Sequence, residues 1–489
     1  MQDKNATYRF VGKLNGMVAA LMLLLAMAFL SSCRNNNDFF TAKNSLKYSA
    51  DTVWFDTVFT RVPGSTYPIS VTQIFSIKNP EKLAVSANFQ LGGGAKSAYR
   101  MSIDGISGTQ INDIEIGASD SVFVFVQCKL EANNNTQPLL VMDSIISSVG
   151  GHRSNVKLAA YGWDAHYYRD TILDQNTIWE DDGKPYVIVG YLGVSEGKTL
   201  NINRGVKVYS SYPYLDKNGN LMSTIYVFGT LKINGSEQNR VKMLGNNLYS
   251  EFNTKPNQWG GIHILVGSVN NSIQYADITN ATIGVRVDSL PVNGSTGLKI
   301  SNTRIQYSGQ ASLAGITADI QATNCLFADA GSYSFLGLLG GNYAFNHCTF
   351  SEYSGFSSRT DGHFAATNTL RDGNGKLLNH APLNLSVYNC IVDGPQKEEL
   401  QFDQTTLNVF NIRLENNLLK SLNPKSIITY PNFFNKTVGF EDVQRGNYQT
   451  DSTAFGYKKA GTFGSPVTID LLGKSRKSQP DLGCYEKLP

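Results

Sequence analysis

The side chains best suited to acid–base chemistry are gathered in one charged stretch that follows Phe350 and runs to about Pro382. Aspartates there would act as acid and base in a glycoside hydrolase, and an arginine would act as the base in a polysaccharide lyase. Long loops on repeat proteins often form the binding face, so the charged residues are candidate ligand contacts. They are Arg359, Asp361, His363, Arg371, Asp372 and His380. Asp361 and Asp372 each precede glycine, as in ordinary turns, so a plain loop is the stronger alternative to ligand contact.

The chain lacks the catalytic patterns that such enzymes need. A lyase requires acidic calcium ligands beside an Arg or Lys base, and a hydrolase requires clustered aspartates. Neither Asn-Thr-Asp nor Gly-His-Gly occurs, and the one adjacent aspartate pair, Asp181-Asp182, stands in a turn-like Asp-Asp-Gly. We therefore assign no catalytic residue and keep a polysaccharide lyase or glycoside hydrolase as the alternative.

Three cysteines recur at one position of a repeated phrase, which raises the question of a metal ladder or disulfides. They are Cys325, Cys348 and Cys390, and no CxxC or His-x-His spacing accompanies them. Stacked cysteines of this kind are typical small buried residues. The stretch from Asp216 to Asn220 begins like a calcium loop but lacks the distal glutamate. We predict no metal site and no cofactor.

The phrase that carries these cysteines defines the architecture. The phrase is four residues long and occurs at Asn302–Ile305, Asn324–Phe327 and His347–Phe350. Less regular copies occur at 275–278, 389–392 and 416–419. The steps between first positions are 27, 22, 23, 42 and 27 residues, a spacing typical of a solenoid. The step of 42 is either one coil plus an insertion or two coils.

Alternation within the phrase predicts which side chains face the interior. Side chains two apart in a strand share a face, and positions 2 and 4 pair a small residue with a large apolar one. We place both inside a narrow core and place positions 1 and 3 outside. Coils of this length favour a right-handed parallel β-helix of about ten coils, which we assign to residues 167–489 with a C-terminal cap.

In the preceding region, residues 45–166, short segments of alternating apolar and polar residues are separated by turn residues. This pattern predicts an immunoglobulin-like antiparallel β-sandwich, and Cys128 is its lone cysteine. At the join, Tyr161–Tyr168 is rich in aromatic residues. Such a cluster either plugs the end of a core or forms a platform on which sugars stack.

The first 33 residues have the features of a targeting segment. Lys4, Arg9 and Lys13 precede the apolar run Met17–Leu30, which is too short for a comfortable membrane span. Leu-Ser-Ser-Cys then ends at Cys33, and this tetrapeptide resembles a bacterial lipobox. The resemblance implies cleavage before Cys33, lipidation of its thiol, and residues 34–44 as a tether. An outer-membrane anchor is expected, with surface display and a periplasmic orientation both open.

Charge excludes one class of partner. The chain carries 42 basic and 39 acidic residues for a net charge of +3, so nothing indicates a nucleic-acid partner.

Four features together carry a resemblance to a known family. They are the opening strands, the Gln258–Ile262 motif (QWGGI), the coil phrases, and the ending Pro480–Glu486 (PDLGCYE). The chain resembles the choice-of-anchor Q, or right-handed β-helix repeat, envelope lipoproteins, from whose ending Leu482 and Cys484 depart mildly. The resemblance implies architecture rather than activity. We expect a lipid-anchored binding or scaffold protein, glycan-binding or adhesive through its β-helix.

Overall fold

A computed structural model describes residues 44–60, 72–132, 134–210, 223–291, 294–355, 359–422, 431–451 and 453–487. Cys33 and the targeting segment lie outside these residues. The chain divides into two compact units, of which the first ends at Tyr161 and the second contains Gly162–Pro489. Within the described residues, no helix is both long enough and apolar enough to cross a membrane.

The first unit is a β-sandwich of two five-stranded sheets, with strand orders β1-β3-β8-β5-β6 and β2-β10-β9-β4-β7. Its strands are β1 (Lys47–Tyr48), β2 (Thr52–Phe59), β3 (Thr72–Lys78), β4 (Val85–Leu91), β5 (Tyr99–Ile103), β6 (Ile106–Gly108), β7 (Gln110–Ile116), β8 (Ser121–Cys128), β9 (Leu139–Val149) and β10 (His152–Trp163), with a 3₁₀ turn at Gly94–Lys96. Strand β8 shows why the fold forms, because Val124 and Val126 are buried while the alternating Phe123 is exposed. The predicted sandwich is confirmed.

The second unit is a parallel β-helix, as predicted. Its strands are β11 (His166–Leu173), β12 (Thr177–Trp179), β13 (Tyr186–Val194), β14 (Thr199–Asn203), β15 (Lys207–Ser210), β16 (Thr224–Val227), β17 (Thr230–Asn234), β18 (Val241–Gly245), β19 (Trp259–Ile264), β20 (Asn271–Gln274), β21 (Ala276–Thr279), β22 (Ala281–Asp288), β23 (Leu298–Ser301), β24 (Arg304–Ser308), β25 (Ala311–Thr323), β26 (Leu326–Ala330), β27 (Tyr333–Asn346), β28 (Thr349–Ser351), β29 (Phe364–Thr367), β30 (Thr369–Arg371), β31 (Leu377–His380), β32 (Leu383–Tyr388), β33 (Ile391–Asp393), β34 (Leu400–Asp403), β35 (Phe410–Glu415), β36 (Leu418–Leu419), β37 (Phe433–Phe434), β38 (Phe440–Asp442) and β39 (Asn447–Thr450). Two further 3₁₀ turns are Ser250–Phe252 and Val443–Arg445.

Parallel pairing stacks these strands into three faces. Face 1 contains β11, β13, β16, β19, β22, β25, β27, β29 and β34. Face 2 contains β12, β14, β17, β20, β23, β25, β27, β32 and β35. Face 3 contains β11, β13, β15, β18, β21, β24, β26, β28, β33, β36 and β37, among them the phrase strands. Long strands such as β25 and β27 bend across two faces.

The interior is filled as the phrase predicts. Cys325, Cys348 and Cys390 are fully buried in the same core as the large residues at position 4. Phe327 and Phe350 stack with ring centroids 5.1 Å apart and planes 18° apart. The assignment of positions 2 and 4 to the inside is confirmed, because small and large side chains alternate in stacked layers.

Position 1 of the phrase is the residue that turns the chain into face 3. Every first residue has a positive φ: Tyr275 (47°), Asn302 (49°), Asn324 (61°), His347 (51°), Asn389 (52°) and Asn416 (59°). Asparagine tolerates this left-handed conformation better than other residues with a Cβ, which explains why it dominates. The amides also bond between coils, with Asn324 Nδ2 donating to Asn302 Oδ1 over 2.6 Å.

The step of 42 residues is one coil plus an insertion. Strand β27 pairs directly with β32, and β28 pairs with β33, so no full coil intervenes. Strand β29 is the face 1 strand of this coil, because it pairs with β27 and β34. The extra residues lie before β29 and in the antiparallel hairpin β30–β31 that follows it.

Position 3 points outward in β26, β33 and β36, as predicted, but there it is covered by other parts of the chain and does not meet solvent. Leu326, Ile391 and Leu418 occupy position 3 and point away from the interior, yet they are buried. They pack against the C-terminal segment, through two small cores that contain Leu471 and Cys484 in one and Leu482 in the other. The ending that resembles a family motif therefore lies along the side of the coils.

Polar contacts hold this C-terminal segment in place. The Gly483 amide donates to the Asn389 carbonyl over 2.8 Å, and the Cys484 amide donates to Thr349 Oγ1 over 3.1 Å. Arg476 donates to Asn324 Oδ1 and pairs with Glu486, with both side chains almost fully buried. The contacts with Asn389, Thr349 and Asn324 span more than 90 residues of sequence, which explains why no local pattern revealed them.

At the start of the β-helix, aromatic rings close the core, which favours the plug interpretation of the aromatic join. Tyr168 and Tyr186 pack against Trp179, whose ring is fully buried and stacks on Tyr186 at 4.4 Å. These rings are continuous with the hydrophobic core of the coils.

Candidate functional site

The six charged residues of the insertion fall on two separate elements. Arg359, Asp361 and His363 lie just before β29, whereas Arg371, Asp372 and His380 belong to the β30–β31 hairpin or its turn. The structure does not unite them in one site.

The residues before β29 are mostly buried and internally paired. Arg359 makes a two-pronged ion pair with Glu399 over 2.7 and 3.0 Å, and it also donates to the Asp361 carbonyl. The fully buried His363 ring bonds to Ser334 Oγ at 2.5 Å and to the Asp393 carbonyl at 3.0 Å. Desolvation, aided by Arg359, lowers the pKa of His363 to about 3, so its imidazole is neutral. These contacts support structure and leave Asp361 as an exposed turn residue.

The hairpin residues are more accessible. Arg371 Nε lies 2.9 Å from Asp403 Oδ2. Asp372 accepts the amides of Asn374 and Lys376, which makes it a turn-forming residue. His380 Nδ1 bonds to the Asn408 amide at 3.2 Å. Of the six, Arg371 alone lines one of the grooves described below.

A groove on face 1, here called the aromatic groove, has a volume of about 670 Å³. It is lined by Ile172, Tyr191, Gly193, Ser195, Glu196, Tyr226, Phe228, Leu265, Val266 and Gly267. Phe228 is 48% exposed and Val266 71% exposed, so large apolar side chains meet solvent here. Gly193 pairs in register with Ile172 on one side and Tyr226 on the other, and its missing side chain opens the floor between them.

A second groove on face 1, the hairpin groove, has a volume of about 250 Å³. Arg371 and Asp403 stand beside Tyr333, Leu336 and Leu338 in its lining. Strand β30 of the hairpin supplies one wall through Thr369, Leu370 and Arg371.

One column of outward side chains joins the two grooves. In register along face 1 stand Ile172, Gly193, Tyr226, His263, Arg286, Ala314, Leu336, Ala365 and Gln401. Eight steps of about 4.8 Å give the column a length of about 38 Å. Burial, then Arg286, lowers the pKa of His263 to about 4, so this ring is neutral at physiological pH.

The aromatic groove was not among the sites predicted from the sequence, because the six candidate ligand contacts were all charged residues. Its signal was present in Ile225–Phe228, where Tyr226 and Phe228 alternate with buried Ile225 and Val227. Two large aromatic residues on the outward side of a strand were the available indication.

A third groove, here called the lysine groove, opens on face 3 with a volume of about 480 Å³. Asp393 and Lys420 are outward neighbours on successive coils, with Lys420 Nζ 3.7 Å from Asp393 Oδ1. The Tyr353 hydroxyl donates to Asp393 Oδ2 over 2.6 Å. Burial raises the pKa of Asp393, against the opposing effects of Tyr353 and Lys420. The rest of the lining comes from Val392, Leu418, Leu419, residues 435–440 and Val443.

Two further carboxyl groups lie buried on face 3. Asp329 accepts hydrogen bonds from the Tyr448 hydroxyl at 2.5 Å and from Gln306 at 3.2 Å, and burial raises its pKa to about 6. Burial also raises the pKa of Glu352 well above its usual value, despite the opposing effect of the Ala330 amide. Across the described part of the chain, no cluster of three or more His, Cys, Asp or Glu side chains is arranged to hold a metal ion.

Comparisons with known proteins add little to this geometry. No protein-family model and no curated protein matches the sequence. Among solved structures, the catalytic domain of a GH87 α-1,3-glucanase in complex with nigerose shares 11% identity at a TM-score of 0.23, over 84% of this chain and 97% of that one. The GH87 α-1,3-glucanase of Streptomyces thermodiastaticus strain HF3-3 shares 9% at 0.20, over 71% and 79%.

The chaperone DraB of E. coli matches at 9% identity and a TM-score of 0.18, over 24% of this chain and 55% of that one. This chain thus spans about half the length of DraB. Scores this low decide neither fold nor function, so the fold assignment rests on the strand pairings described above.

Proposed function

We propose that this chain is a lipid-anchored protein of a bacterial cell envelope that binds polysaccharide along face 1 of its β-helix. The observation that carries the proposal is the alignment of the aromatic groove and the hairpin groove on one outward column. A ligand that follows this column for about 38 Å is a polymer rather than a small molecule.

The chemistry of the aromatic groove suits a sugar chain. Sugar rings have apolar faces and hydroxyl-bearing edges, so they pack on aromatic rings while polar groups bind their rims. Tyr191, Tyr226 and Phe228 supply rings, and Ser195 and Glu196 supply polar atoms at the edge of the same groove. A purely apolar partner would leave the serine and the glutamate without a role.

The anchor forms a second part of the proposal. The positive start, the short apolar run and Leu-Ser-Ser-Cys favour cleavage before Cys33 and lipidation at the outer membrane. We also propose, again from sequence pattern, that the chain belongs to the choice-of-anchor Q family, because it has the QWGGI motif and the PDLGCYE ending. Incorporation of labelled palmitate that persists in Cys33→Ala would refute the anchor. Protease treatment of whole cells would separate surface display from a periplasmic orientation.

Filling the aromatic groove tests the binding site directly. Gly193 does not require a left-handed backbone, and a Cβ there would contact Ile172 at an ordinary 3.4 Å. Gly193→Val should therefore fold and should weaken binding of a polysaccharide found on a glycan array by about tenfold or more, measured by calorimetry. Binding that is unchanged in this variant would overturn the assignment to face 1.

A matched pair of aromatic substitutions supplies the control. Phe228→Ala removes an exposed ring from the groove, and Phe123→Ala removes a ring that is 62% exposed on the sandwich. The first should weaken binding and the second should not. An equal loss of affinity in both variants would indicate nonspecific binding to exposed aromatic side chains.

Catalysis is the second candidate, because the hairpin groove holds the Arg371–Asp403 ion pair on the same face. A polysaccharide lyase would release unsaturated products, and a glycoside hydrolase would release reducing ends. We expect neither from any polysaccharide that binds. If wild type turns over a polysaccharide and Asp403→Asn does not, the function is catalysis rather than binding alone.

A further inference from the structure

The lysine groove is a built polar site that face 1 binding does not use. Asp393 and Lys420 belong to strands β33 and β36 and the chain that follows them, so adjacent coils hold their side chains in register. Lys420 also donates to the Gly394 carbonyl, and Tyr353 fixes the Asp393 carboxyl. The floor of the groove is therefore set before any ligand arrives, which lowers the ordering cost of binding.

The wall opposite the floor is held just as firmly. Asn435 has a left-handed backbone, and its side-chain amide bonds in both directions to the backbone of Ser421. This places the exposed Lys436 and Thr437 at the rim, with Val438 and Phe440 beside them.

The charge in the groove favours an anionic ligand. Two lysines, Lys420 and Lys436, line the site with one carboxyl group, Asp393. The Lys436 ammonium lies 5.9 Å from the centroid of the Phe455 ring, which is outside the lining, and it makes no ion pair with the described residues there. That carboxyl is 13% exposed and accepts the Tyr353 hydroxyl, and with two lysines against one carboxylate the positive charge exceeds the negative. An anion that enters would bind the lysines at close range in a partly dehydrated site.

Hydroxyl-rich chemistry fits the remaining lining. Tyr353, Asp393 and Thr437 supply hydroxyl and carboxyl groups that bind alcohols, and Val438 and Phe440 supply an apolar wall. The volume of about 480 Å³ lies in the range of small-molecule sites.

We propose that the lysine groove binds a sugar unit that carries a carboxylate, such as a hexuronate, with Lys420 and Lys436 on the carboxylate and Tyr353 and Asp393 on its hydroxyls. The proposal rests on the proposed function in taking the ligand to be a glycan. It adds a second site on a different face and a charged class of ligand.

The test measures calorimetric binding of trisaccharides of galacturonate, guluronate and mannuronate to the full chain. At least one should bind, and its methyl ester, which keeps the shape and removes the charge, should bind at least tenfold more weakly. Lys436→Met, a change at an exposed rim residue, should weaken binding about tenfold, and Lys420→Met should do the same. Lys82→Met on the sandwich, also exposed, is the control and should change nothing.

Three outcomes would overturn the inference: no hexuronate binds, the methyl ester binds equally well, or Lys436→Met has no effect. Inorganic phosphate that binds the lysines as tightly as every hexuronate would also overturn it, because the site would then recognise any anion. With any of these four outcomes, the proposed function stands if a neutral polysaccharide binds wild type and no longer binds Gly193→Val. Binding of hexuronate alone would instead refute the role of face 1.

Discussion

Faces 1 and 3 are built from the same coils and share one hydrophobic core, yet they meet different surroundings. On face 3, the outward residues Leu326 and Ile391 are buried beneath the C-terminal segment. On face 1, the outward residues Ile172 and Phe228 are 60% and 48% exposed. The repeat thus determines what fills the interior, whereas packing from distant sequence determines which outward residues stay exposed to solvent.

Charged groups differ between the faces in the same way. Under the C-terminal segment, Arg476 and Glu486 are 1% and 0% exposed and pair at 3.3 Å. On face 1, the Arg371 and Asp403 side chains are 37% and 52% exposed. A buried pair becomes costly when one partner is removed, whereas an exposed pair contributes little. Substitutions where the C-terminal segment covers face 3 should therefore change stability, and those on face 1 should change binding.

The largest effect is expected from Arg476→Ala. It leaves Glu486 buried without its partner and removes a hydrogen bond to Asn324, so unfolding should become easier by about 3–5 kcal/mol. Chemical denaturation measures this change. Arg445→Ala breaks an ion pair whose arginine is 87% exposed, and it should have little effect. Equal effects in the two variants would contradict the view that the C-terminal segment is firmly packed.

A smaller loss is expected from Gly483→Ala. Gly483 has φ of +81°, and a Cβ there would lie 2.6 Å from Thr349 Oγ1 and 2.8 Å from Ile391 Cδ1. Strain and overlap together should cost about 2–4 kcal/mol in denaturant unfolding. Gly373→Ala is the control, because a Cβ there meets nothing within 4 Å. If Gly483→Ala is as stable as wild type, the C-terminal segment can shift to make room for the added methyl group and is not firmly packed.

Acid should weaken face 3 through His347. Burial, then Arg476, lowers the pKa of this histidine to about 3, below its usual 6.5. The unfolded chain binds the proton first, so stability is present above pH 6.5 and is lost as pH falls toward 3. His347→Asn places asparagine at the left-handed corner position and should reduce the loss between pH 7.5 and 5 by about 2 kcal/mol.

The measurement is the urea midpoint of wild type and variant across this pH range. His152→Asn, at an exposed position of the sandwich, is the control and should leave the profile unchanged. A profile in His347→Asn that matches wild type would exclude this histidine as the source of acid sensitivity.

The smallest change in stability is expected on face 1. Phe228→Ala removes a half-exposed ring, so the free energy of unfolding should shift by no more than about 0.5–1 kcal/mol. Thermal unfolding measures this value beside the binding loss described above. A loss of several kcal/mol would mean that Phe228 is a structural residue and that the contrast between the faces is false.

Much of the fold was predictable from local pattern. Alternation in Asn324–Phe327 and His347–Phe350 placed Cys325 and Phe350 inside, and the sandwich followed from short alternating strands. Candidate sites were less predictable, because Arg359 and His363 looked like ligand contacts but are buried against Glu399 and Ser334. Charge in a loop does not reveal which partner will neutralise it.

Sequence by itself determined the coil, its inward residues and its corners, because each depends on side-chain alternation and backbone preference over a few positions. Only the tertiary structure decided which faces are covered. Gly483 and Cys484 meet Asn389 and Thr349 across 94 and 135 residues of sequence. Contacts at that range arise from shape and packing of the whole unit, so they cover part of face 3 and leave outward residues of face 1 exposed.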